Sequence, residues 1–152
     1  MFGMMKGKRV LVQGSQMYDL KTMVDSSVRR AYSDVGGLAA KDQRSATVMI
    51  WNYHDDDVKQ PALPVEVNIN GVSVTVVTLT EYRIDDEHSN SYEVWKKMGS
   101  PQNPTKEQIA ILEKSGQLKT MGSAKKVKVV NGIMKIKLSL PQQGVSLLKL
   151  DW

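Results

Sequence analysis

The stretch Val65-Glu66-Val67-Asn68-Ile69-Asn70-Gly71-Val72-Ser73-Val74-Thr75-Val76-Val77 alternates apolar and polar residues on both sides of an Asn-Gly pair. A period of two puts Val65, Val67 and Ile69 on one face of a strand and Glu66 and Asn68 on the other. Asn70-Gly71 suits the positive φ of a tight hairpin, so the spacing predicts that residues 72–77 return alongside. Asn131-Gly132 repeats the device between residues 126–130 and 133–140 and predicts a second hairpin. Residues 46–53 are apolar on both faces, with Val48 and Ile50 opposing Met49 and Trp51, as in a strand in the middle of a sandwich. Further strands are expected at 8–13, 28–35 and 145–152. The pattern is that of a mainly β protein, an antiparallel β-sandwich.

One segment departs from period two. Asn103-Pro104-Thr105 and Gln108 offer an N-cap, a first-turn proline and a capping box; Ile109 and Leu112 share a face, and Gly116 ends the helix. Residues 91–98 form a second short helix, with Tyr92 and Trp95 on one side. A small helical insert at about residues 90–118 therefore interrupts the strands.

The chain has 152 residues, the length of one domain able to bury its own core. It contains no cysteine, which excludes disulfides and thiol chemistry. The apolar run before Lys6 is too short for a signal-peptide core, and no stretch could span a bilayer. Location is left open, and no membrane partner is expected. The net charge of +5 is uneven: residues 119–152 hold seven basic residues and one acidic, the middle of the chain six against eleven. Lys126, Lys128, Lys135 and Lys137 alternate with apolar residues, as the solvent side of edge strands does. No aromatic residues interleave with them, which argues against nucleic acid.

Two acidic clusters contain both histidines: His54-Asp55-Asp56-Asp57 and Asp85-Asp86-Glu87-His88. Imidazole and carboxylate suit zinc, manganese or calcium, but only alternate residues at a strand end can converge on one ion. The favoured reading is loop opening and turn capping, with no metal or cofactor. Paired carboxylates are also the tools of glycoside hydrolysis, and exposed aromatics such as Tyr92 and Trp95 can stack pyranose rings. Trp51, within an apolar strand, is expected in the core.

Trp51-Asn52-Tyr53-His54-Asp55-Asp56-Asp57, Tyr82-Arg83-Ile84-Asp85, His88-Ser89-Asn90 with Tyr92, and Met98-Gly99-Ser100-Pro101-Gln102 together resemble the C-terminal region of glycoside hydrolase family 39, the β-xylosidase family. The resemblance implies a β-sandwich accessory domain over residues 9–152, with residues 1–8 the remnant of a last barrel helix or a lead-in. In that family the acid/base glutamate lies in an Asn-Glu-Pro motif on a (β/α)8 barrel. This chain has no Asn-Glu pair and is far too short for the barrel, so no catalytic residue is carried over. The implied partner is the catalytic barrel of a parent glycosidase. His54, Asp55, Asp56, Asp57, Arg83, Asp85, His88 and Asn90 are the candidate inter-domain or active-site-mouth residues, and Tyr92 and Trp95 the candidate sugar-stacking pair. Family members add a strand from a segment preceding the barrel, so an open sheet edge and self-association are expected. The alternatives are a stand-alone carbohydrate-binding module and a metal-dependent enzyme built on the His54 and His88 clusters.

Overall fold

The computed structural model describes residues 1–15, 19–26, 34–56 and 58–152. After a 3-10 turn at Phe2–Met4, the described elements are β1 (Lys8–Val10), α1 (Leu20–Ser26), β2 (Asp34–Lys41), β3 (Ser45–Tyr53), β4 (Leu63–Asn70) and β5 (Val76–Ile84). Then follow α2 (Ser91–Lys97), α3 (Lys106–Ser115), β6 (Lys119–Thr120), β7 (Lys125–Lys128), β8 (Ile133–Leu140) and β9 (Val145–Asp151). Every described pairing is antiparallel. A seven-stranded sheet runs β1-β2-β3-β9-β5, with β6 and β7 both on the far side of β5. Among the described residues, a second sheet is formed by β4 and β8. The core lies between them: Val48 and Ile50 of β3, Val77 of β5 and Leu148 and Leu150 of β9 meet Met134, Ile136 and Leu140 of β8. Val65, Val67 and Ile69 of β4 and Trp152 close around that cluster.

The strands expected at 46–53, 65–69 and 145–152 are present, and the one at 8–13 shrinks to three residues. The expected strand at 28–35 is observed only from Asp34, the start of β2; residues 28–33 lie outside the described region. The two Asn-Gly pairs do something other than expected. Residue Ile69 of β4 faces Met134 of β8, and Val77 of β5 faces Val127 of β7, so β4 and β5 belong to different sheets. Only Gly71 there has a positive φ, 74°. At Asn131-Gly132 both residues are left-handed, φ 52° and 73°, and a tight turn forms, with Val130 and Ile133 exchanging two 2.9 Å backbone bonds. The chain then separates after that single bridge: β7 goes to β5 and β8 to β4. Both Asn-Gly pairs are thus points at which the chain passes from one layer to the other. They also touch, Val72 N–H donating to the Gly132 carbonyl at 3.1 Å.

Trp51 is likewise displaced from the expected core. Val48 and Ile50 point inward, so Trp51 falls on the opposite face, where it is half-buried. Its cross-strand partner is Gly36, and a Cβ at that glycine would lie 2.6 Å from the indole ring. The ring lies across the neighbouring strand in space that only glycine leaves open. Replacing Gly36 by alanine should cost about 1–3 kcal/mol through overpacking and lower Tm by several degrees. Gly3→Ala, where nothing approaches within 4 Å, should leave the melting curve unchanged.

Candidate functional site

β3 and β5 both run antiparallel to β9, which lies between them, and Trp51, Val145 and Ile84 are aligned across the three strands. The chain therefore leaves β3 at His54 and β5 at Asp85 on the same end of the sandwich. The 141–144 turn between β8 and β9 sits at that end too, because Gln143 N–H donates to the Asn52 carbonyl at 2.8 Å. This end gathers the candidate residues of both acidic clusters.

The first cluster is a latch between loop and turn. His54 is buried, with Nδ1 3.1 Å from Asp56 Oδ1. Asp56 also accepts from Val58 N–H at 3.1 Å, and its carbonyl accepts from Gln142 Nε2 at 2.8 Å. Asp55 accepts the Tyr53 hydroxyl at 2.5 Å, and that hydrogen bond raises the phenol's pKa above its ordinary value. Asp57 lies outside the described residues.

The second cluster is organised by Arg83, which is buried. On β5, Val77, Leu79, Glu81 and Arg83 share the inward face, so the last two carry charge into the space between the sheets. Arg83 Nη1 donates to the Ser139 carbonyl of β8 at 3.0 Å, and Nη2 bonds Glu81 at 2.6 Å. Glu81 accepts in addition from Ser146 Oγ of β9 at 3.0 Å, and Asp85 Oδ2 lies 3.6 Å from Nη1. One guanidinium thus ties the large sheet to the small one.

Asp85 then folds the following loop around its own carboxylate. Oδ1 accepts from the N–H groups of Glu87 and His88, both at 2.9 Å, and contacts His88 Nδ1 at 2.8 Å. Burial raises the Asp85 pKa, but the hydrogen bonds from the His88 ring and from Glu87 outweigh it and hold the carboxyl below its ordinary value. Buried Ser89 adopts a left-handed φ of 53°, and its Oγ accepts Lys119 N–H at 2.8 Å, fastening the loop to β6. Asn90 caps α2, its Oδ1 accepting from Tyr92 and Glu93 N–H at 3.1 and 3.2 Å. The helical insert follows as expected: α3 has the full Thr105/Gln108 capping box and ends at Gly116.

On α2, Tyr92 and Trp95 stack with ring centroids 5.6 Å apart. Tyr92 is exposed, whereas Trp95 is half-buried and donates Nε1–H to the Pro101 carbonyl at 3.0 Å. Lys96 Nζ, paired with Glu93 at 2.5 Å, lies 4.9 Å from the Tyr92 ring centroid. The platform already carries a cation.

Chemically, this end of the molecule is built to fix loops. Among the described residues, no group of three or more histidine and carboxylate side chains is arranged to hold a metal ion. Sequence reasoning singled out Arg83 and Asp85 but missed Glu81, Ser139 and Ser146, which complete their network. The available signal was parity: Glu81 and Arg83 fall in step with Val77 and Leu79, positions that the alternation assigns to the core.

A two-layer antiparallel β domain with a helical appendage, with Glu81, Arg83 and Asp85 at one end engaged in inter-sheet and loop contacts, is the class of protein that these features define. The model of glycosyl hydrolases family 39 matches residues 1–127, and the chain belongs to that family. Its fold is similar to part of a monomeric β-xylosidase from Caulobacter crescentus, with 18% identity and a TM-score of 0.65, over 76% of this chain and 26% of that one. A family 39 enzyme from Xanthomonas axonopodis pv. citri matches with 17% identity and a TM-score of 0.64, over 76% and 25%. A bacterial orthologue of human α-L-iduronidase matches with 17% identity and a TM-score of 0.56, over 78% and 22%. The chain spans about a quarter of the length of these enzymes.

Two outcomes follow from the Arg83 network. Arg83→Met should destabilise the fold by on the order of 3 kcal/mol, because it strands Glu81 and Asp85. A second change, Glu81→Gln, should recover part of that loss in urea unfolding. Because Asp85 titrates lower in the folded chain, its contribution is present above about pH 4, the unfolded carboxyl value, and is lost as pH falls through the lower folded value. Urea midpoints measured against pH should therefore decline below about pH 4, and Asp85→Asn should flatten that decline.

Proposed function

We propose that this chain is the non-catalytic accessory domain of a β-xylosidase-like glycosidase, bracing a catalytic (β/α)8 barrel. The observation that carries the reading is a family match extending over most of this chain, combined with coverage of only about a quarter of the matching enzymes. The chemistry of the carboxylates supports it. A glycosidase pair must face an open position where a glycosidic bond can sit, whereas Glu81 is bound by Arg83 and Ser146, and Asp85 by His88 and its own loop. The surface supports it too: Phe2, Val10, Leu11, Leu20 and Val24, all near the start of the chain, are large, apolar and exposed, as residues that pack on a neighbouring domain would be when that domain is removed. In this reading the loop from Arg83 to Asn90, fixed by Asp85, is the rigid element that reaches the neighbouring domain.

The outer edges of the two-stranded β4-β8 sheet are unpaired among the described residues, and such edges recruit strands. The isolated chain is accordingly expected to associate with a second copy of itself.

A second reading, a carbohydrate-binding module, draws on the exposed Tyr92 ring stacked on Trp95. It is the weaker one because the Lys96 ammonium already occupies that ring, and a pyranose must compete with it. Calorimetric titration with xylose and xylo-oligosaccharides, run beside an aryl β-xyloside assay, separates the readings. Neither heat nor turnover is expected. Turnover would overturn the accessory-domain reading, and saturable heat abolished by Tyr92→Ala would replace it with sugar recognition.

A further inference from the structure

Asn70-Gly71 and Asn131-Gly132 are the two Asn-Gly pairs of the chain, and besides turning the backbone such a pair carries its own chemistry. The side-chain amide carbon of asparagine is an electrophile that the next backbone nitrogen can reach by closing a five-membered ring, and glycine leaves that nitrogen unshielded. Torsion decides whether the ring can close. Cγ approaches the nitrogen when Cβ and the nitrogen are nearly eclipsed about the Cα–C bond, and it is out of reach when they are anti. Asn131 is left-handed, φ 52°, in a two-residue turn closed by the paired 2.9 Å bonds between Val130 and Ile133. A turn of that type holds ψ at about +30°, which sets Cβ of Asn131 almost anti to Gly132 N.

Asn70 is placed differently. It is the last residue of β4 and is exposed. Its register partner Ile133 gives both its N–H and its C=O to Val130, so the Asn70–Ile133 pair exchanges no ladder bonds. Among the described residues neither the Asn70 side chain nor the Gly71 N–H has a hydrogen-bond partner, and nothing lies within 4 Å of where a Cβ on Gly71 would stand. Rotation about ψ at this strand end therefore breaks no hydrogen bond of Asn70 while it swings Cγ toward Gly71 N. Asn90, which precedes the small residue Ser91, has no such freedom: its Oδ1 accepts two N–H groups of α2 and its Nδ2 donates to the Asp85 carbonyl at 3.0 Å.

We propose that Asn70 is a site of spontaneous deamidation in the folded chain, and that Asn131 is protected by its turn. Gly71 N forms a bond to Asn70 Cγ, the bond from Cγ to the side-chain nitrogen breaks, and the proton lost by Gly71 passes through solvent to that nitrogen, which leaves as ammonia. Water then opens the succinimide at either carbonyl and leaves aspartate or isoaspartate. The balance needs water alone. Isoaspartate routes the main chain through the former side-chain carbon, so it adds a methylene and a negative charge where the chain crosses between layers, beside the Val72 N–H bond to the Gly132 carbonyl.

Timed incubation of the full chain in mildly alkaline buffer, followed by digestion and mass spectrometry of the peptides that contain Asn70 and Asn131, tests the proposal. Replacement of amide by carboxyl at Asn70 is expected to run roughly tenfold or more ahead of that at Asn131 in the folded chain. In urea, where the turn is lost, the two should convert at similar rates, since both precede glycine. Asn70→Gln would have to close a six-membered ring and should abolish the conversion at that position while leaving Asn131 unchanged. Asn70 is exposed, so this variant is expected to fold, and its melting curve checks that. Equal rates in the folded chain, a faster Asn131, conversion of both only in urea, or conversion persisting in Asn70→Gln would each overturn the proposal.

Discussion

A buried guanidinium, reaching across a shared apolar core, ties the two layers of this domain together. The small sheet has two strands, and an isolated pair of that size is marginal in water; it persists because its inward face is part of the shared core and because Arg83 reaches across to the Ser139 carbonyl. The same group neutralises Glu81 and approaches Asp85, so the polar end of the interlayer space is stable only as a set. Removing water from one of these charges without the others would be unfavourable by several kcal/mol. The network therefore fixes more than the spacing of the sheets. It fixes where β5 ends and where the Asp85 loop begins.

From that point the loop is specified by short-range bonds. Asp85 gathers two backbone N–H groups and the His88 ring, Ser89 takes a left-handed conformation to meet β6, and Asn90 starts α2. The latch from His54 and Asp56 to the 141–144 turn does comparable work beside it. Histidine and carboxylate in alternation resemble a catalytic or metal-binding pattern in one dimension. In three dimensions they saturate one another and the surrounding backbone, which is the behaviour expected of turn-capping residues.

How much of this was legible in the residues depended on the range of the interaction that decides each feature. The α3 helix was readable because Thr105, Gln108 and Gly116 act within a few positions of one another. The strands were readable because period two is local. Their partners were not: Val65, Val67 and Ile69 announce an inward face, but nothing in the alternation says that it meets β8, more than sixty residues later in the chain, rather than the adjacent residues 72–77. The Asn131-Gly132 turn was correctly signalled by its residue types, and the divergence of the strands beyond it was set by the competing pairings with β4 and β5. For the site, Arg83 and Asp85 stood out as charged residues, while Ser139 and Ser146 are unremarkable in sequence and acquire their roles only from register. Trp51 was misassigned for a related reason, since both faces of β3 are apolar and Gly36 supplies a second place for a large ring to rest.

The order of the strands also has a consequence for the chain as it is made. β9 is the last of the described strands in chain order but lies in the middle of the large sheet, pairing with β3 along one edge and β5 along the other. Until it emerges from the ribosome, β3 and β5 cannot come together across it, and each presents an open edge. Pairings so distant in sequence are slow to form, and unpaired strands in a partly made chain are the species that associate with other chains. In such a partly made chain β3, with apolar residues on both faces, keeps one edge open until β9 pairs with it.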